Sequence, residues 1–467
     1  MIVSMAFSSV ALLSGCAAKF PPAVANRQLS QRQQVPDRPV VIDTESIPNV
    51  EPLYKNAVGS PRLLPPDKMP ITGVAPNQLK SLDDKICKLL EQYDMPGCSV
   101  AIAKNGHLVA ARGYGWSDIQ HRQSVQPDSL FRLASVSKIL TSVAALKLVQ
   151  DGKLSLDTKV FPLLNYAPFP VGRRIIEPRL NQITVVQLLQ STAGFNRERS
   201  GDPVFAPYVQ EAAAELSPTL RADPEIVIRY WTNTHQLDFE PGTRHVYSNL
   251  EYAILGRVIS AASSESYAEY VRKALLEPMG VHHMRLGKTV VAAPGEVIYY
   301  PFAGQEMNRS VLPNYNGPVP LPYGGDFSME AMEADTGWIA SAPALAKYAC
   351  TVLGDRKTPS PLSDKIRTFM TERPPLPQWD GAAEYFACGW EVNAEQNPMH
   401  CLVMKQGSLA GCMAFVGRRS DGVTVAWLVN SRPAQPEVFH KAMTLLILDS
   451  IDNQLQSDGT DLFDQFN

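Results

Sequence analysis

Three short runs of polar residues, in a fixed order along the 467-residue chain, could together do chemistry. The first holds Ser135 and Lys138, the second holds Tyr247 and Asn249, and the third is the Lys-Gln-Gly run at 405–407. A serine three residues before a lysine places an amine one helical turn from a nucleophile. A phenol, an amide and a second cation can then handle protons and substrate. Acyl transfer through a covalent serine ester requires this set of groups.

Proton transfer in such a site needs groups whose pKa is shifted toward neutrality. The Lys138 amine can accept a proton only if burial or a neighbouring cation lowers its ordinary pKa of ~10.4, and Lys405 is the candidate neighbour. A position between two ammonium groups would favour the phenolate of Tyr247, whose ordinary pKa is ~10. We therefore assign the proton shuttle to Lys138 and Tyr247 jointly and leave the identity of the base open. Asn249 can hold the Lys138 amine and a substrate amide.

The third motif predicts contacts with the substrate backbone. Lys405 and Gln406 precede a glycine at the end of a predicted strand, and Gly407 would let a substrate approach and pair with the strand edge. The backbone N–H groups of Ser135 and Ser408 are the candidates for an oxyanion hole.

Each motif alone is a weak signal, because a capping serine near a solvated lysine gives the same pattern. The runs at 54–56 and 104–106 match the second and third motifs but lie before the serine. The order of the motifs therefore carries the specificity. We find neither G-x-S-x-G nor H-E-x-x-H, and the eight histidines form no ligand cluster, so no metal is predicted.

The elements that must position these groups follow from the hydrophobic pattern. Helical spacing predicts a helix at 79–93 and a buried helix at 133–152 that begins at the serine and lysine pair. A turn at 104–106 joins two predicted strands in a hairpin. Between 154 and 286 helical patterns dominate, whereas 289–335 is rich in Pro, Gly and Asn and predicts long loops near the cleft.

Within the helical region, Thr184 is predicted to cap a helix at 185–190, and further helices are predicted at 250–262 and 267–276. Strand signals return near the end of the chain, at 387–392, 400–405, 413–417 and 423–430, before a closing helix at 436–451. The sheet is therefore predicted to come from both ends of the chain, with helices inserted between them.

The start of the chain predicts export. A short apolar run leads to Leu-Ser-Gly-Cys at 13–16, which resembles the lipobox of bacterial lipoproteins, so Cys16 is the predicted lipid anchor. The first five residues lack Lys and Arg, and a plain secretory peptide cut near Ala17 or Ala18 is the alternative. We predict an exported, periplasmic protein that is lipid-anchored to a bacterial membrane.

The predicted organisation has four parts. An export signal at 1–16 precedes a Pro-rich spacer at 17–76, a hydrolase domain at 77–455 whose helical lobe covers about 154–286, and a polar tail at 456–467.

The composition and charge of the chain limit the kinds of partner that it can bind. A net charge of -3 and a pI near 6.3 give no extended basic surface, which argues against nucleic acid. No apolar run is long enough to span a bilayer. Seven cysteines occur, and the six beyond Cys16 are predicted to be buried free thiols because their spacing resembles neither a disulfide scaffold nor a zinc site.

The three motifs together resemble those of the serine β-lactamase and penicillin-binding-protein superfamily, closest to class C β-lactamases, DD-carboxypeptidases and related esterases. The similarity runs from about 96 to 430. Further stretches that carry it lie at 113–115, 131–134, 183–189, 191–194, 241–243 and 277–280.

The resemblance implies an α+β fold in which an antiparallel sheet flanked by helices lies beside an inserted all-helical lobe, with the active site between them. It also implies an acyl-enzyme on Ser135, with Lys138 and Tyr247 as acid and base groups, Asn249 as a positioning residue and Lys405 as an electrostatic partner. No cofactor is implied.

The chain departs from that family at Gln406. Its β-lactamases and DD-peptidases usually carry a hydroxyl residue there, which helps to bind a substrate carboxylate. Our leading hypothesis is a serine hydrolase that acts on a β-lactam, a D-Ala-type cell-wall peptide or a related ester. The alternatives are a carboxylesterase with little lactam turnover and a catalytically silent protein that binds peptidoglycan or a partner. The sequence leaves the oligomeric state open.

Overall fold

The computed structural model describes residue 64 and residues 68–466, apart from 167–176, 218, 220, 303–304, 306, 314–316, 396–400 and 452–460. The predicted export signal, Cys16 and most of the predicted spacer lie outside the described residues. None of the described helices combines the length and apolar character needed to cross a bilayer.

The described residues form fourteen strands, which are numbered in chain order. They are β1 Ile71–Val74, β2 Gly97–Lys104, β3 His107–Asp118, β4 Gln123–Ser124, β5 Phe131–Arg132, β6 Met284–Leu286, β7 Asn308–Arg309, β8 Pro318–Val319, β9 Trp338–Ala340, β10 Glu384–Phe386, β11 Glu391–Asn393, β12 Cys401–Leu409, β13 Cys412–Arg419 and β14 Val423–Val429.

Twelve α-helices are described, also numbered in chain order. They are α1 Lys80–Gln92, α2 Ser137–Gln150, α3 Val160–Leu164, α4 Val185–Leu189, α5 Arg197–Ser200, α6 Tyr208–Leu216, α7 Pro224–Thr234, α8 Asn249–Ser263, α9 Tyr267–Val271, α10 Ala342–Val352, α11 Asp364–Thr371 and α12 Pro436–Ser450.

The main sheet is antiparallel and is assembled from both ends of the chain. Its order is β1-β3-β2-β14-β13-β12-β11-β10, with β4 paired to β3. The two ends meet at β2 and β14, where Cys98 is opposite Val429. In a small second sheet, β5-β9-β6, the strand just before Ser135 and the strand at the end of the helical region both pair with β9. The α+β architecture predicted from the sequence is confirmed.

Two hydrophobic cores lie on opposite faces of the main sheet because successive side chains of a strand alternate between its faces. In β2, Ala101 and Ala103 belong to the core that contains α2 and α10. Val100 and Ile102 face the other core, which contains apolar residues of α1 and α12. A strand buried on both faces needs an apolar residue at nearly every position, which β14 supplies.

Most predicted elements are confirmed. The hairpin turns at Asn105 and Gly106, whose φ angles of 49° and 78° are the positive values that a tight two-residue turn requires. The helix predicted to follow Thr184 is α4, and the Thr184 N–H donates to Gln187 Oε1 at 2.9 Å. Of the cysteines predicted to be buried free thiols, Cys98, Cys350, Cys388 and Cys412 are free and buried, whereas Cys87 is free but only half-buried.

Two predictions are wrong in their boundaries. The α-helix predicted from 133 starts at Ser137, because a 3₁₀ turn over Ala134–Val136 precedes it. Of the strand predicted at 387–392, residues 387–390 form a turn after β10, where Gly389 has a φ of 81°, and only the last two residues belong to β11. An apolar run fits a buried turn as well as a buried strand, so its pattern alone does not separate the two.

The described residues of the predicted polar tail pack against the folded domain. Within the predicted polar tail, Phe463 is fully buried. Asp461 accepts hydrogen bonds from the Leu108 N–H and from Arg356.

Candidate active site

Ser135 lies on the 3₁₀ turn that leads into α2. A hydrogen bond to β9 holds the turn in place, since the Leu133 N–H donates to the Trp338 carbonyl at 2.8 Å. Ala134 has a φ of 47°, a left-handed conformation that non-glycine residues adopt rarely and that recurs at functional sites. The serine therefore sits ahead of the helix, and Lys138 follows in its first turn.

Lys138 is fully buried, and its Nζ makes three contacts. It donates to Asn249 Oδ1 at 2.7 Å and to the Asp335 backbone carbonyl at 3.0 Å, and it lies 3.3 Å from Ser135 Oγ. Carbonyl oxygens can only accept, so these two contacts use two N–H bonds. A neutral amine has two N–H bonds and one lone pair, and the lone pair is then directed to the serine hydroxyl.

Burial lowers the pKa of Lys138 to about 8. Arg197 adds to the lowering, whereas the carboxylates of Asp335 and Asp202 oppose it. A substantial fraction of Lys138 is therefore neutral near pH 8 and able to accept a proton. The lowering was predicted, but the cation that contributes to it is Arg197 and not Lys405.

Tyr247 is the second group on the nucleophile, and its OH donates to Ser135 Oγ at 2.6 Å. Burial raises the pKa of Tyr247 above its ordinary value, although Lys405 and Arg197 oppose the rise. The prediction of a favoured phenolate is therefore wrong, because desolvation outweighs the nearby cations. Tyr247 is a phenol that can supply a proton.

Asn249 links the lysine to a buried acid. Its Oδ1 faces Lys138, and its Nδ2 donates to Asp202 Oδ2 at 2.7 Å. Burial raises the pKa of Asp202, against the lowering effect of Arg197, which approaches Asp202 at 3.9 Å. Asn249 begins α8, directly after its N-cap Ser248, which places Tyr247 and Asn249 at the same helix start.

Lys405 is almost fully buried on β12. Its Nζ donates to Glu391 Oε1 at 2.8 Å and lies 5.2 Å from the ring centre of Tyr247. On another side it faces the ring of Phe386 at 4.9 Å. The lysine is therefore an electrostatic neighbour of the Tyr247 phenol and the partner of a carboxylate.

Gly407 brings β12 against the nucleophile. A Cβ added there would lie 2.3 Å from the Leu133 carbonyl oxygen and 2.9 Å from the Ser135 nitrogen, so only glycine allows this approach. The predicted oxyanion groups, the N–H groups of Ser135 and Ser408, thus belong to adjoining segments. The Ser408 hydroxyl also accepts a hydrogen bond from Arg432 Nε at 2.9 Å.

A cavity of about 230 Å³ opens onto these groups. Its wall includes Ser135, Tyr247, Lys405, Gln406, Gly407 and Ser408, together with aromatic and charged side chains. The aromatic members and the additional charged members are His245, His440, Trp379, Tyr385, Phe386, Arg197, Arg432, Glu384, Glu391 and Glu437. The structure therefore brings together the predicted catalytic and substrate-binding residues of the three motifs.

Sequence reasoning missed four charged residues of this site. Asp202 and Asp335 flank the lysine, Arg197 lies 4.8 Å from the ring centre of Tyr247, and Glu391 pairs with Lys405. None belongs to a motif, and only the fold brings them near the serine. Among the described residues, no group of three or more His, Cys, Asp or Glu side chains is arranged to hold a metal ion.

Known proteins resemble this chain in sequence and in fold. "Protein flp" of Staphylococcus aureus (strain NCTC 8325 / PS 47) is 26% identical over 356 residues, which are 75% of this chain and 63% of that protein. The chain thus spans less than two thirds of the length of that curated relative.

Two solved structures share the fold. D-alanine carboxypeptidase AmpC from Burkholderia cenocepacia has a TM-score of 0.57 and 20% identity, over 79% of this chain and 98% of that one. EstCE1, a hydrolase with promiscuous acyltransferase activity, has a TM-score of 0.58 and 20% identity, over 80% of this chain and 98% of that one.

The family model described as Beta-lactamase matches residues 82–449, a range that contains the nucleophile, the phenol and the Lys-Gln-Gly strand. The chain therefore belongs to the Beta-lactamase family.

Proposed function

We propose that the protein is a serine hydrolase that forms an acyl-enzyme on Ser135. The observation that carries the proposal is the hydrogen bonding around one oxygen atom. Ser135 Oγ accepts from the Tyr247 phenol at 2.6 Å and lies 3.3 Å from the Lys138 amine, whose other contacts are both carbonyl acceptors. A binding role alone requires no such arrangement.

The proposed reaction begins when neutral Lys138 takes the Ser135 proton as Oγ attacks the substrate carbonyl. Negative charge then develops on the carbonyl oxygen, which the backbone N–H groups of Ser135 and Ser408 would stabilise. The Tyr247 phenol donates its proton to the leaving group, and the proton on Lys138 restores the phenol. Water attacks the ester by the reverse use of the same groups and releases the acid.

The candidate substrates are a β-lactam, a D-Ala-type cell-wall peptide and a related ester. The proteins of similar fold named above include a carboxypeptidase and a hydrolase with promiscuous acyltransferase activity, so similarity of fold does not choose among these substrates. One observation favours the carboxylesterase reading. Lys405 is already paired with Glu391, and Gln406 stands where a hydroxyl residue would assist carboxylate binding.

Labelling tests the proposal. Purified protein is treated with a fluorophosphonate or a fluorescent penicillin, and the modified residue is located by mass spectrometry. We expect phosphonylation at Ser135, no labelling of Ser135→Ala, and normal labelling of Ser137→Ala. Ser137 is a matched control because its hydroxyl instead accepts from the Trp338 N–H. Absence of an adduct in folded protein would leave the silent binding protein as the better reading.

We also propose that Cys16 anchors the protein to a bacterial membrane, on the sequence pattern alone, since this segment lies outside the described residues. Expression of Cys16→Ser should move the protein from the membrane fraction to the soluble fraction. Unchanged membrane association of that variant would defeat the proposal.

A further inference from the structure

The closest contact of the Lys405 ammonium is with a carboxylate of the neighbouring strand. Lys405 on β12 is 1% exposed, and Glu391 on β11 is 25% exposed at its side chain. The two side chains meet at 2.8 Å, and the ammonium also lies 5.2 Å from the ring centre of Tyr247 and 4.9 Å from that of Phe386, two rings that contact each other. The aromatic rings and the carboxylate together fix the lysine in place.

This pairing changes what the lysine offers to a substrate. An anionic group that approaches Lys405 also approaches Glu391, so attraction to one charge is offset by repulsion from the other. Moving the lysine to a substrate carboxylate would leave Glu391 without its partner, and that loss opposes the gain. The cavity wall beside Tyr247 therefore has little net positive charge.

The other cations of the cavity also have acidic neighbours. Arg197 lies 3.9 Å from Asp202. Burial raises the pKa of Asp326 to about 6, and the nearby charge of Arg432 opposes that rise, so this guanidinium also faces a carboxyl group.

The described wall of the cavity holds three cations, Arg197, Lys405 and Arg432, and three carboxylates, Glu384, Glu391 and Glu437, so its formal charges cancel. Glu384 and Glu437 are exposed, and solvent screens their charges. Glu391 is partly buried and contacts Lys405, so it is the carboxylate of the wall that most reduces attraction of an anion to this lysine.

We infer that Glu391 is a specificity-determining residue that neutralises Lys405 and makes the site select acyl substrates without a carboxylate, such as uncharged esters. This inference rests on the proposed acyl-enzyme at Ser135 and names the substrate class of that site. Glu391 acts here through Lys405 and is not itself a catalytic residue.

Two carbon-matched esters test the inference. We compare kcat/KM for 4-nitrophenyl hexanoate and mono-4-nitrophenyl adipate, with Ser135→Ala protein as the background. The wild-type protein should prefer the hexanoate by about tenfold or more, a size expected for one partly buried charge repulsion. In Glu391→Gln the adipate-to-hexanoate ratio should rise by about tenfold, and added salt should weaken this gain.

Glu384→Gln is the matched control. It removes the same charge from the same cavity, but Glu384 is exposed and contacts Asn393 instead of the lysine. We expect its ratio to change by less than about twofold, because exposed charges are screened. If Glu391→Gln is poorly folded, wild-type protein still tests the inference, because salt should raise adipate turnover and leave hexanoate turnover unchanged.

The possible outcomes separate the two proposals. Hydrolysis of both esters by Ser135, with the same ratio in wild-type, Glu391→Gln and Glu384→Gln proteins, overturns the role of Glu391 alone. A wild-type preference for the adipate does the same. Hydrolysis of neither ester, with no adduct on Ser135, overturns the serine hydrolase proposal and this inference with it.

Discussion

At the scale of single residues, two buried acids affect the pKa of Lys138, and the chemistry of the site depends on that pKa. Asp335 and Asp202 both raise the pKa of Lys138, while burial and Arg197 lower it to about 8. Burial also raises the pKa of Asp335 to about 8. The residue types of the nucleophile, amine and phenol could be predicted from the sequence. The two acids could not, because their effect comes from burial and distance, which no local spacing encodes.

Replacement of Asp335 by Asn should shift the pH profile of the reaction. In the proposed reaction the base form of Lys138 is the active one, so kcat/KM for a neutral ester should rise with pH through about 8 in the wild-type protein. Removing the Asp335 charge removes an effect that raises this pKa, so the midpoint should move to lower pH. Stopped-flow or steady-state assays across the titration measure it.

Arg197→Gln provides a control of opposite sign. Arg197 lowers the pKa of Lys138, so its loss should move the midpoint to higher pH. If the pH midpoint of kcat/KM moved in the same direction in both variants, or did not move in either, the result would contradict the role of Lys138 as the base.

At the scale of elements, the site depends on a strand, a turn and a long loop meeting at Ser135. The strand β12 and the helix α2 could be predicted from the sequence because the periods of their apolar residues are clear. The apolar pattern misplaced the strand at 387–392 and the first residue of α2, because a buried turn and a 3₁₀ turn carry the same apolar residues as their neighbours. The loops of 289–335 could be predicted as irregular, but their path depends on contacts with distant residues.

Gly407→Ala should disable the site while leaving the fold in place. The added Cβ would lie 2.3 Å from the Leu133 carbonyl oxygen, so β12 or the nucleophile turn must move. A displacement of this kind in a preorganised site costs about a hundredfold in kcat/KM. Gly152→Ala is the comparison, since nothing lies within 4 Å of its Cβ position and its positive φ affects stability alone. Equal activity of the two variants would contradict the role of this close approach.

Arg132 joins the long loop to the segment before the nucleophile. Its guanidinium donates to the carbonyls of Pro322, Lys288 and Thr289 and lies 4.2 Å from the ring centre of Tyr299. Arg132→Met should lower the free energy of unfolding by about 3–5 kcal/mol, because it leaves buried carbonyls and the Glu296 carboxyl without their cation.

Urea denaturation measures the effect of Arg132→Met, with a variant of the same loop as the comparison. Arg309→Met, at an exposed position, should change the free energy of unfolding by less than about 0.5 kcal/mol. Similar effects of the two substitutions would show that Arg132 does not anchor the loop.

At the scale of the whole molecule, buried histidine makes stability depend on pH. Burial lowers the pKa of His245 from its ordinary 6.5 to about 4, and its Nδ1 lies 2.9 Å from the Gln190 carbonyl. A carbonyl cannot donate, so Nδ1 carries the proton of the neutral ring. The folded protein therefore binds fewer protons than the unfolded chain at mildly acidic pH.

His245→Gln should reduce the loss of stability on acidification. The stabilisation of the folded state by neutral His245 is fully present above pH 6.5 and is lost as the pH falls toward about 4. This loss lowers the free energy of unfolding by at most about 3 kcal/mol. Urea denaturation at neutral pH and near pH 4.5 gives the wild-type loss. The variant should lose less, and an equal loss in both proteins would contradict this assignment.

The placement of β14 between β2 and β13 has a consequence for synthesis on the ribosome. Gly97–Lys104 emerges long before its partner Val423–Val429, because the two strands are far apart in the sequence. Until β14 is made, one edge of β2 therefore stays unpaired, and unpaired strand edges are prone to aggregation. Ser135 also precedes its neighbour Gly407 on β12 by a long stretch of chain. Under the proposed function, truncated products that lack β12 should therefore be catalytically inert.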